Sequence, residues 1–357
     1  MTKLASTPSN PLHSAPAQLL PALPENSEIL IVRPRSLGDL VLETPAIAAL
    51  KAWRPDLRIS VLVEPRFAAA LEGNPAIHEL ILSKGLAATA LDLRRRKFPV
   101  VFNQHGGPRS AILTGISGAP CRVGWKDFQY SFFYNVPVPD ALEFYSRPDV
   151  HTIEHRLSQF YWTGLPRGPI PPTQVFVGDD ARISLRQKLA AQRITIPKSY
   201  AVLQPGARSA GMRWPTSKFA ELTSWLHDTC GITSVVNCGP QDGDVAREVR
   251  DQMRGAAIPE NLNLRELIAL IAGAQIFVGN DSGPAHVAAA LERPTVVIFS
   301  QTDPAQWGPK QSQSRIVSTG AKFKHPRGDK AVVVAQPRSI GDIAVDEIRQ
   351  ACSQLLG

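Results

Sequence analysis

The stretch Ile276–Phe299, IFVGNDSGPAHVAAALERPTVVIF, is the part of the sequence that decides the fold class. An apolar run rich in β-branched residues ends at Gly279. Small residues typical of a packed helix begin at Ser282, and a second apolar run, PTVVIF, closes the stretch. Two buried strands joined by a helix run parallel in one sheet. The stretch therefore predicts a βαβ unit in a parallel sheet covered by helices.

The same alternation of strand and helix fills most of the chain in two series. The first series begins with strands at Glu28–Arg33 and 58–64, and the second begins with YAVLQP at Tyr200. Between Pro137 and Pro172 the pattern loosens and prolines cluster, as in a hinge. We predict an α/β fold of two Rossmann-like, doubly wound parallel-sheet domains that face a central cleft, where open α/β sheets bind ligands.

The predicted organisation is a disordered tail at 1–27, an N-terminal domain at 28–175 and a C-terminal domain with a terminal helix at 176–357. A length of 357 residues suits two domains, and 43% hydrophobic with 20% charged residues is typical of a globular protein. No apolar run approaches the roughly 20 residues of a membrane span. The first 27 residues lack the pattern of a secretory signal.

Charge and cysteine usage narrow the classes of partner and compartment. Four scattered cysteines suit a reducing cytoplasm and exclude a disulfide scaffold. The net charge of +8 points to acidic partners and is compatible with a weak, salt-sensitive contact with an anionic membrane surface. The basic residues are dispersed, so we predict no nucleic-acid site. We interpret the densest basic run, RRRK at 94–97, as a solvated helix end.

The sequence PRSLGD at Pro34–Asp39 follows a buried strand and precedes a helix, so its polar residues are expected at the edge of the cleft. Gly38 permits a tight turn. Asp39 either caps the helix or serves as a general base for an incoming hydroxyl. The similar PRSIGD at Pro337–Asp342 follows no comparable strand. Helix capping is sufficient to explain Asp342, and we interpret the repeat as coincidence.

Two loops of the second series suit phosphate groups. The helix that opens at Ser282 offers free N–H groups to an anion, with Gly283 allowing close approach and His286 one turn further. The alternative is a capping Asp281 or Ser282 with a core histidine. In LQPGARSAGMRWP, Arg208 and Arg213 follow a strand and could neutralise a diphosphate.

Two further patterns bear on metal and nucleotide chemistry. The pair Asp242-x-Asp244 is better explained by helix capping than by metal binding. Neither G-x-G-x-x-G after the first strand nor G-x-x-x-x-G-K-[ST] occurs, which argues against dinucleotide enzymes and P-loop NTPases. We therefore predict neither a metal site nor a cofactor.

The combination of ILIVRPRSLGDLVLETPAI, LQPGARSAGMRWP and VGNDSGPAHVAAALERPTVVIFSQTDPAQWGP resembles glycosyltransferase family 9, the ADP-heptose:lipopolysaccharide heptosyltransferases. The resemblance covers nearly the whole chain after Glu28 and implies a GT-B fold. It implies an inverting, metal-independent transfer from ADP-heptose to a lipopolysaccharide core acceptor of the lipid A–Kdo type. The N-terminal domain would bind the acceptor and the C-terminal domain the nucleotide sugar.

By position, the resemblance makes Asp39 the catalytic base. It places the donor diphosphate against Arg213, Asp281, Ser282, Gly283 and His286, with Thr302 and Asp303 in a turn beside that pocket. Family members often carry serine where this chain has Arg35, so Arg35 either favours a phosphorylated core sugar or pairs with a nearby acid. Arg35 and Ser36 are the predicted acceptor residues.

Three other functions remain open from the sequence. A sugar-nucleotide epimerase of the same fold would need additional acid/base carboxylates in the C-terminal half of the cleft. A non-catalytic nucleotide-binding protein would need Asp39 to be only a cap. Transfer of heptose to a protein is the third, and the absence of a partner-binding module argues against it.

Overall fold

Two parallel β-sheets, each covered by helices on both faces, lie on either side of a cleft. The computed structural model describes residues 16–239, 242–253, 255–311, 313–324 and 332–357. The predicted pair of doubly wound α/β domains is confirmed, since every neighbouring pair of strands in both main sheets is parallel.

The N-terminal sheet has six strands in the order β3-β2-β1-β4-β5-β6. Its strand order reverses between β1 and β4, and such a switch point leaves a crevice at the carboxyl ends of the two strands. The strands are β1 (Glu28–Val32), β2 (Arg58–Val63), β3 (Glu79–Leu82), β4 (Val100–Asn103), β5 (Cys121–Trp125) and β6 (Val136–Val138).

The C-terminal sheet has five strands in the order β11-β10-β9-β7-β8, so its switch point lies between β7 and β9. A separate antiparallel pair, β12 and β13, precedes the terminal helix. The strands are β7 (Tyr200–Gln204), β8 (Thr233–Val236), β9 (Ile276–Asn280), β10 (Thr295–Phe299), β11 (Ser314–Ser318), β12 (Lys322–Lys324) and β13 (Val332–Ala335).

Helices cover both faces of each sheet. No helix within the described ranges is both long and apolar enough to cross a membrane. The helices are α1 (Leu37–Trp53), α2 (Leu86–Arg96), α3 (Pro108–Ile116), α4 (Ala141–Tyr145), α5 (Thr152–Trp162), α6 (Asp179–Ala191), α7 (Thr216–Cys230), α8 (Gly243–Gln252), α9 (Leu264–Ala272), α10 (Gly283–Ala290), α11 (Pro304–Trp307) and α12 (Val345–Leu356).

The central strands are apolar on both sides, which is why they read as continuous hydrophobic runs. In β1, Ile29 and Ile31 enter one core while Leu30 and Val32 enter the core on the opposite face. Parallel sheets need this double burial, because their helical connections leave neither face to solvent. The carboxyl ends of the strands thereby remain the place for polar side chains.

The interpretation of residues 1–27 as a disordered tail is wrong for residues 16–27, and residues 1–15 lie outside the described part of the chain. Leu19, Leu20 and Leu23 are buried in the core of the N-terminal domain. The guanidinium of Arg54 donates to the carbonyl oxygens of Leu20 and Leu23, each at 3.1 Å. Three leucines on a Pro-rich background were too weak a periodic signal to predict this packing.

The region where the sequence pattern loosens contains regular structure that the sequence did not predict. Strand β6 and helix α4 lie at its start, helix α3 and strand β5 lie in the unassigned stretch before it, and α6 follows before the second series. Residues 165–178 between α5 and α6 carry neither helix nor strand, and the predicted domain boundary between 175 and 176 falls inside that segment.

The two PRS-x-GD sequences occupy different environments. Asp39 lies in the first turn of α1 beside the cleft, whereas Asp342 ends a short 3₁₀ helix before α12. The Asp342 carboxylate accepts from the backbone N of Ser339 at 2.8 Å and from the Ser339 hydroxyl at 2.9 Å. This is a local capping arrangement, as predicted for the second copy.

Candidate active site

Asp39 lies directly beyond the carboxyl end of β1 and is paired with two arginines. Its Oδ1 contacts the Arg33 guanidinium and lies 3.0 Å from Nη2 of Arg156, which comes from α5. The Ser36 side chain adds a hydrogen bond. Ser36 occupies the N-cap position of α1, so the Asp39 carboxylate binds side chains instead of capping the helix. The capping alternative for Asp39 is therefore wrong.

The two guanidinium groups control the ionisation of Asp39. Burial alone would raise the pKa of this carboxyl, because a charged group loses its hydration. The positive charges of Arg33 and Arg156 outweigh burial and hold the pKa of Asp39 below its usual range. Asp39 is therefore ionised at neutral pH and can accept a proton, although each arginine weakens its basicity.

Glu43 lies one helical turn beyond Asp39 and is completely buried. Neither carboxyl oxygen has a hydrogen-bond partner in the described structure, and the nearest cation, Arg156 Nε, lies 3.8 Å from Oε2. Burial raises the pKa of Glu43 to about 7, against the opposing charges of Arg156 and Arg33. The sequence analysis missed Glu43 because an acid inside a helix carries no signal of its burial.

On the C-terminal side of the cleft, the loop after β9 and the start of α10 form a candidate anion-binding site. The hydroxyl of Ser282, the N-cap of α10, is buried without a hydrogen-bond partner. Thr302 donates to Asp281 Oδ2 at 2.5 Å, which fixes that carboxylate. Burial lowers the pKa of His286 despite the nearby charges of Asp281 and Asp39, so the imidazole is neutral at pH 7.

Two glycines bring the starts of α1 and α10 into contact across the domains. A Cβ on Gly38 would lie only 2.7 Å from Cδ2 of His286, and one on Gly283 would lie 2.7 Å from Cβ of Leu37. Any larger residue at either position would push the helices apart. The close approach of the two helix starts therefore explains why both positions carry glycine. It also places His286 beside Asp39 and the first turn of α1.

Two adjoining cavities lie along the cleft. The C-terminal cavity, of about 550 Å³, is lined by the loop at 281–283, His286 and residues 301–303. The N-terminal cavity, of about 520 Å³, is lined mainly by residues of the N-terminal domain. Four residues line both: Ser36, Asp39, Arg208 and Trp307. Asp39 therefore stands where the two cavities meet.

The N-terminal cavity is strongly basic. Its lining contains one carboxylate, Asp39, against five arginines at positions 33, 35, 66, 156 and 208. Arg35 donates from Nε to His105 Nε2 at 3.2 Å, and burial together with Arg33 lowers the pKa of His105 to about 4. A neutral histidine and several arginines make this cavity suited to anionic ligands.

Most predicted site residues lie in these two cavities, but Arg213 does not. The guanidinium of Arg213 binds Asp244 Oδ2 at 2.8 Å and lies 3.5 Å from Asp242 Oδ1. The neighbouring Arg208 lines both cavities instead. Asp303 also has a local task, because its carboxylate accepts from the backbone N of Ala305 at 2.9 Å and caps α11.

Sequence reasoning missed Arg33, His105 and Arg156. Arg33 and His105 each follow the end of a strand at the N-terminal switch point, a signal that could have identified them. Arg156 had no such signal, since it reaches Asp39 across 117 residues from a helix outside the alternating series. Within the described ranges, no three His, Cys, Asp or Glu side chains are grouped as metal ligands would be.

Comparison with known proteins agrees with this architecture. The model of glycosyltransferase family 9 (heptosyltransferase) matches residues 87–332, more than half of the chain. Lipopolysaccharide heptosyltransferase 3 of Escherichia coli is 28% identical over 76% of this chain and 83% of its own length. Lipopolysaccharide heptosyltransferase 2 of E. coli K12 is 24% identical over 92% of this chain and 98% of its own.

Solved structures show the same fold. E. coli ADP-heptose lipopolysaccharide heptosyltransferase II has a TM-score of 0.75 at 22% identity, covering 92% of this chain and 98% of that one. A family 9 glycosyltransferase from Veillonella parvula has a TM-score of 0.77 at 21% identity, covering 93% and 97%. The predicted GT-B architecture is confirmed, and the chain belongs to glycosyltransferase family 9, the heptosyltransferases.

Proposed function

We propose that this glycosyltransferase moves a heptose, with inversion, from ADP-L-glycero-D-manno-heptose to the inner core of lipopolysaccharide. The observation that carries the proposal is the position of Asp39 at the junction of the two cavities. A base at that junction can reach a hydroxyl in one cavity and face an anomeric carbon held in the other.

The C-terminal cavity suits the nucleotide-sugar donor. At the start of α10, the backbone N–H of Gly283 and the unpartnered Ser282 hydroxyl can both donate to a diphosphate. Pro284 has no N–H, and that of Ala285 donates to the Ser282 carbonyl oxygen at 3.1 Å. Arg208, at the edge of the same cavity, supplies positive charge. Asp281, Gly283, His286 and Thr302 complete this proposed donor site, with Arg213 retained as a second-rank candidate.

The N-terminal cavity suits an acidic acceptor. Lipid A–Kdo cores carry carboxylates and phosphates, and the arginines of this cavity can bind both groups through paired hydrogen bonds. Arg35 and Ser36 line this cavity, which supports the proposal that they contact the acceptor. We assign acceptor binding to the N-terminal domain and donor binding to the C-terminal domain.

The reaction itself is a single displacement. Asp39 takes the proton of the acceptor hydroxyl as its oxygen attacks the anomeric carbon of the heptose. The bond from that carbon to the diphosphate oxygen breaks, and the bonding electron pair leaves with ADP. Proton removal contributes about 10²–10⁴-fold to the rate. Charge stabilisation of the leaving diphosphate by α10 and Arg208 contributes a factor of similar or larger size.

The proposed location is the cytoplasmic face of the inner membrane, where the enzyme would meet a lipid-anchored acceptor. All four cysteines are free thiols, which suits a reducing compartment. The net charge of +8 favours contact with an anionic lipid surface. We propose no cofactor and no nucleic-acid partner.

Release of ADP from the donor, with and without a deep-core lipopolysaccharide acceptor, tests the proposal. The variant is Asp39→Asn, and its matched control is Asp342→Asn in the second PRS-x-GD sequence, which lies outside the cavities. We expect acceptor-dependent ADP release that falls at least 100-fold in Asp39→Asn, with donor binding intact, and that is unchanged in Asp342→Asn.

The other outcomes are equally informative. Full activity of Asp39→Asn would remove Asp39 as the base while leaving the transferase. Donor binding without turnover on any lipopolysaccharide acceptor would indicate a non-catalytic protein or a different acceptor, such as a protein. Failure to bind the donor would refute the donor assignment.

A further inference from the structure

Glu43 is a fully buried acid in the middle of α1, and the transfer reaction proposed above gives it no task. Neither of its carboxyl oxygens has a hydrogen-bond partner in the described structure. A buried carboxyl without such partners lowers the stability of a fold, and groups of this kind are concentrated at functional sites. Glu43 lies one helical turn beyond Asp39, the candidate base, so its charge acts where the reaction takes place.

Glu43 belongs to a cluster of two acids and two arginines beneath the junction of the cavities. Oδ1 of Asp39 contacts the Arg33 guanidinium and lies 3.0 Å from Nη2 of Arg156. Nε of the same Arg156 lies 3.8 Å from Oε2 of Glu43. One guanidinium therefore faces both the candidate base and the buried acid. We call these four residues the charge cluster.

The charge cluster is rigid and shielded from water. Arg33 and Arg156 are only 3% and 4% exposed. Both guanidinium groups donate to the carbonyl oxygen of Gln104, Arg156 at 3.1 Å, and the Gln104 amide donates to the carbonyl oxygen of Arg156 at 3.1 Å. The arginines are thus held in place when a neighbouring charge changes, and water screens the charges of the cluster only weakly.

The net charge of the cluster depends on whether Glu43 is ionised. With Glu43 protonated, Asp39 alone faces two guanidinium groups, so the cluster carries one positive charge and carries two once Asp39 has taken a proton. With Glu43 ionised, the same step takes the cluster from neutral to one positive charge. Because the excess of like charge is smaller in the second case, ionised Glu43 strengthens Asp39 as a base.

We propose that Glu43 is a positioning residue that acts through Asp39: its ionised carboxylate offsets the two arginines and makes Asp39 a stronger base for the acceptor hydroxyl. Glu43 touches neither the substrates nor the transferred proton, which passes from the acceptor hydroxyl to Asp39. The inference rests on the proposed function, because Asp39 is assigned as the base there. A carboxylate paired with two arginines is a weak base, and a general base works best when it titrates near the working pH.

Glu43 changes its charge close to neutral pH. Burial raises the pKa of Glu43 to about 7 against the charges of Arg156 and Arg33, and the charge of Asp39 adds to the rise. Glu43 is therefore mostly protonated at pH 5 and mostly ionised at pH 9. The proposal accordingly predicts that Asp39 becomes a stronger base as the pH rises through about 7.

Titratable groups on neighbouring elements also face the cluster. Burial lowers the pKa of His105, after β4, to about 4 and lowers that of His286, on α10, so both are neutral at pH 7. Arg66, on the short helix at 65–70, is exposed and ion-paired. Nδ1 of His155 lies 3.4 Å from Nη1 of Arg156, so a pH test must separate His155 from Glu43.

The pH dependence of acceptor-dependent ADP release tests the proposal. The measured quantity is the ratio of kcat for wild type to kcat for Glu43→Gln, because glutamine resembles the protonated acid in shape. This ratio should be close to one at pH 5 and roughly three to ten at pH 9. Glu43→Asp, which keeps an ionisable carboxyl, should restore at least part of the difference.

The matched control is Glu266→Gln, the same substitution at a buried glutamate of α9 that lines neither cavity. Its ratio should not change with pH. A pH-independent ratio for Glu43→Gln would overturn the proposal, because the remaining pH dependence would then belong to another group, such as His155. Unfolding does not mimic the expected loss, since Glu43→Gln removes a buried charge and leaves no partner unpaired.

A second test needs no turnover, because the coupling of two charges is reciprocal. If ionised Glu43 raises the proton affinity of Asp39, ionised Asp39 raises that of Glu43 by the same factor. Infrared difference spectroscopy follows the protonated Glu43 carboxyl during a pH titration, and Glu43→Gln identifies its band. Asp39→Asn should lower the proton affinity of Glu43 about tenfold or more, and Asp342→Asn should leave it unchanged.

The two tests separate this inference from the proposed function. An unchanged proton affinity of Glu43 in Asp39→Asn would overturn the inference even if the heptose transfer is confirmed. A loss of about tenfold would support the coupling of the two carboxyls even if the transferred sugar or the acceptor proves different.

Discussion

Replacing Glu43 with glutamine tests the electrostatics of the cleft most directly. The Glu43 carboxyl is fully buried in α1, neither oxygen has a hydrogen-bond partner in the described structure, and Arg156 Nε lies 3.8 Å away. Burial raises the pKa from its ordinary value of 4.5 to about 7, although the charges of Arg156 and Arg33 oppose the rise. The folded protein therefore binds this proton more tightly than the unfolded chain does.

The direction of the pH dependence of stability follows from the tighter proton binding at Glu43 in the folded state. Below pH 4.5 both states hold the proton and Glu43 carries no penalty, whereas stability is lost as the pH rises through about 7. Each pKa unit corresponds to about 1.4 kcal/mol, so the penalty reaches about 3 kcal/mol at pH 8. Glutamine has no charge to bury. Glu43→Gln should raise the free energy of unfolding by about 2–3 kcal/mol at pH 8 and by less than about 1 kcal/mol at pH 5.

Urea unfolding at pH 5 and pH 8, followed by tryptophan fluorescence and far-UV circular dichroism, measures this difference. The matched control is Glu25→Gln, the same substitution at an exposed position, which should change stability by less than about 0.5 kcal/mol at both pH values. An equal effect of Glu43→Gln at the two pH values would refute the reasoning. So would a loss of stability at pH 8, because it would mean that ionised Glu43 is stabilised by Arg156.

Two further predictions concern the cavities. A Cβ on Gly38 would lie 2.7 Å from His286 Cδ2, so Gly38→Ala should lower kcat for ADP release at least tenfold. The control is Gly85→Ala, whose added Cβ would have no neighbouring atom within 4 Å and should leave kcat unchanged. Arg208 lines both cavities while Arg213 is held by two aspartates. Measured by isothermal titration calorimetry, Arg208→Ala should weaken ADP binding about tenfold or more, and Arg213→Ala should weaken it by only a few-fold. The reverse order would make Arg213 the main arginine that binds the donor diphosphate.

Sequence reasoning worked best for structural elements formed by residues that are close together in the chain. The strand–loop–helix pattern at Ile276–Phe299 predicted β9, α10 and β10 closely, because apolar periodicity and small residues act over a few neighbouring positions. The same pattern placed Asp39 beside the cleft. Prediction failed where local signals are weak, as in residues 16–27, whose three buried leucines depend on a surface formed by α1 and α5.

The ion-pair partners of a side chain were harder to predict than the loop or helix in which the residue lies. The sequence placed Arg208 and Arg213 in one loop and could not rank them, because the choice depends on Asp242 and Asp244 in a different element. Likewise, the sequence could not exclude that Asp39 caps its helix, and only its contacts with Arg33 and Arg156 removed that alternative. Ion pairs form between residues far apart in the chain, so no local pattern records them.

The sequence by itself determined the fold class, the family resemblance and the loops at the carboxyl ends of the strands, since hydrophobic periodicity and glycine placement are properties of neighbouring residues. Only the tertiary structure decided how the site is charged. It brought Arg156 to Asp39 across 117 residues, buried Glu43 beneath them, and set Gly38 against His286. Burial and Coulomb interactions depend on distances through space, and those distances exist only once the N-terminal domain has folded and, for Gly38 and His286, once the two domains have packed together.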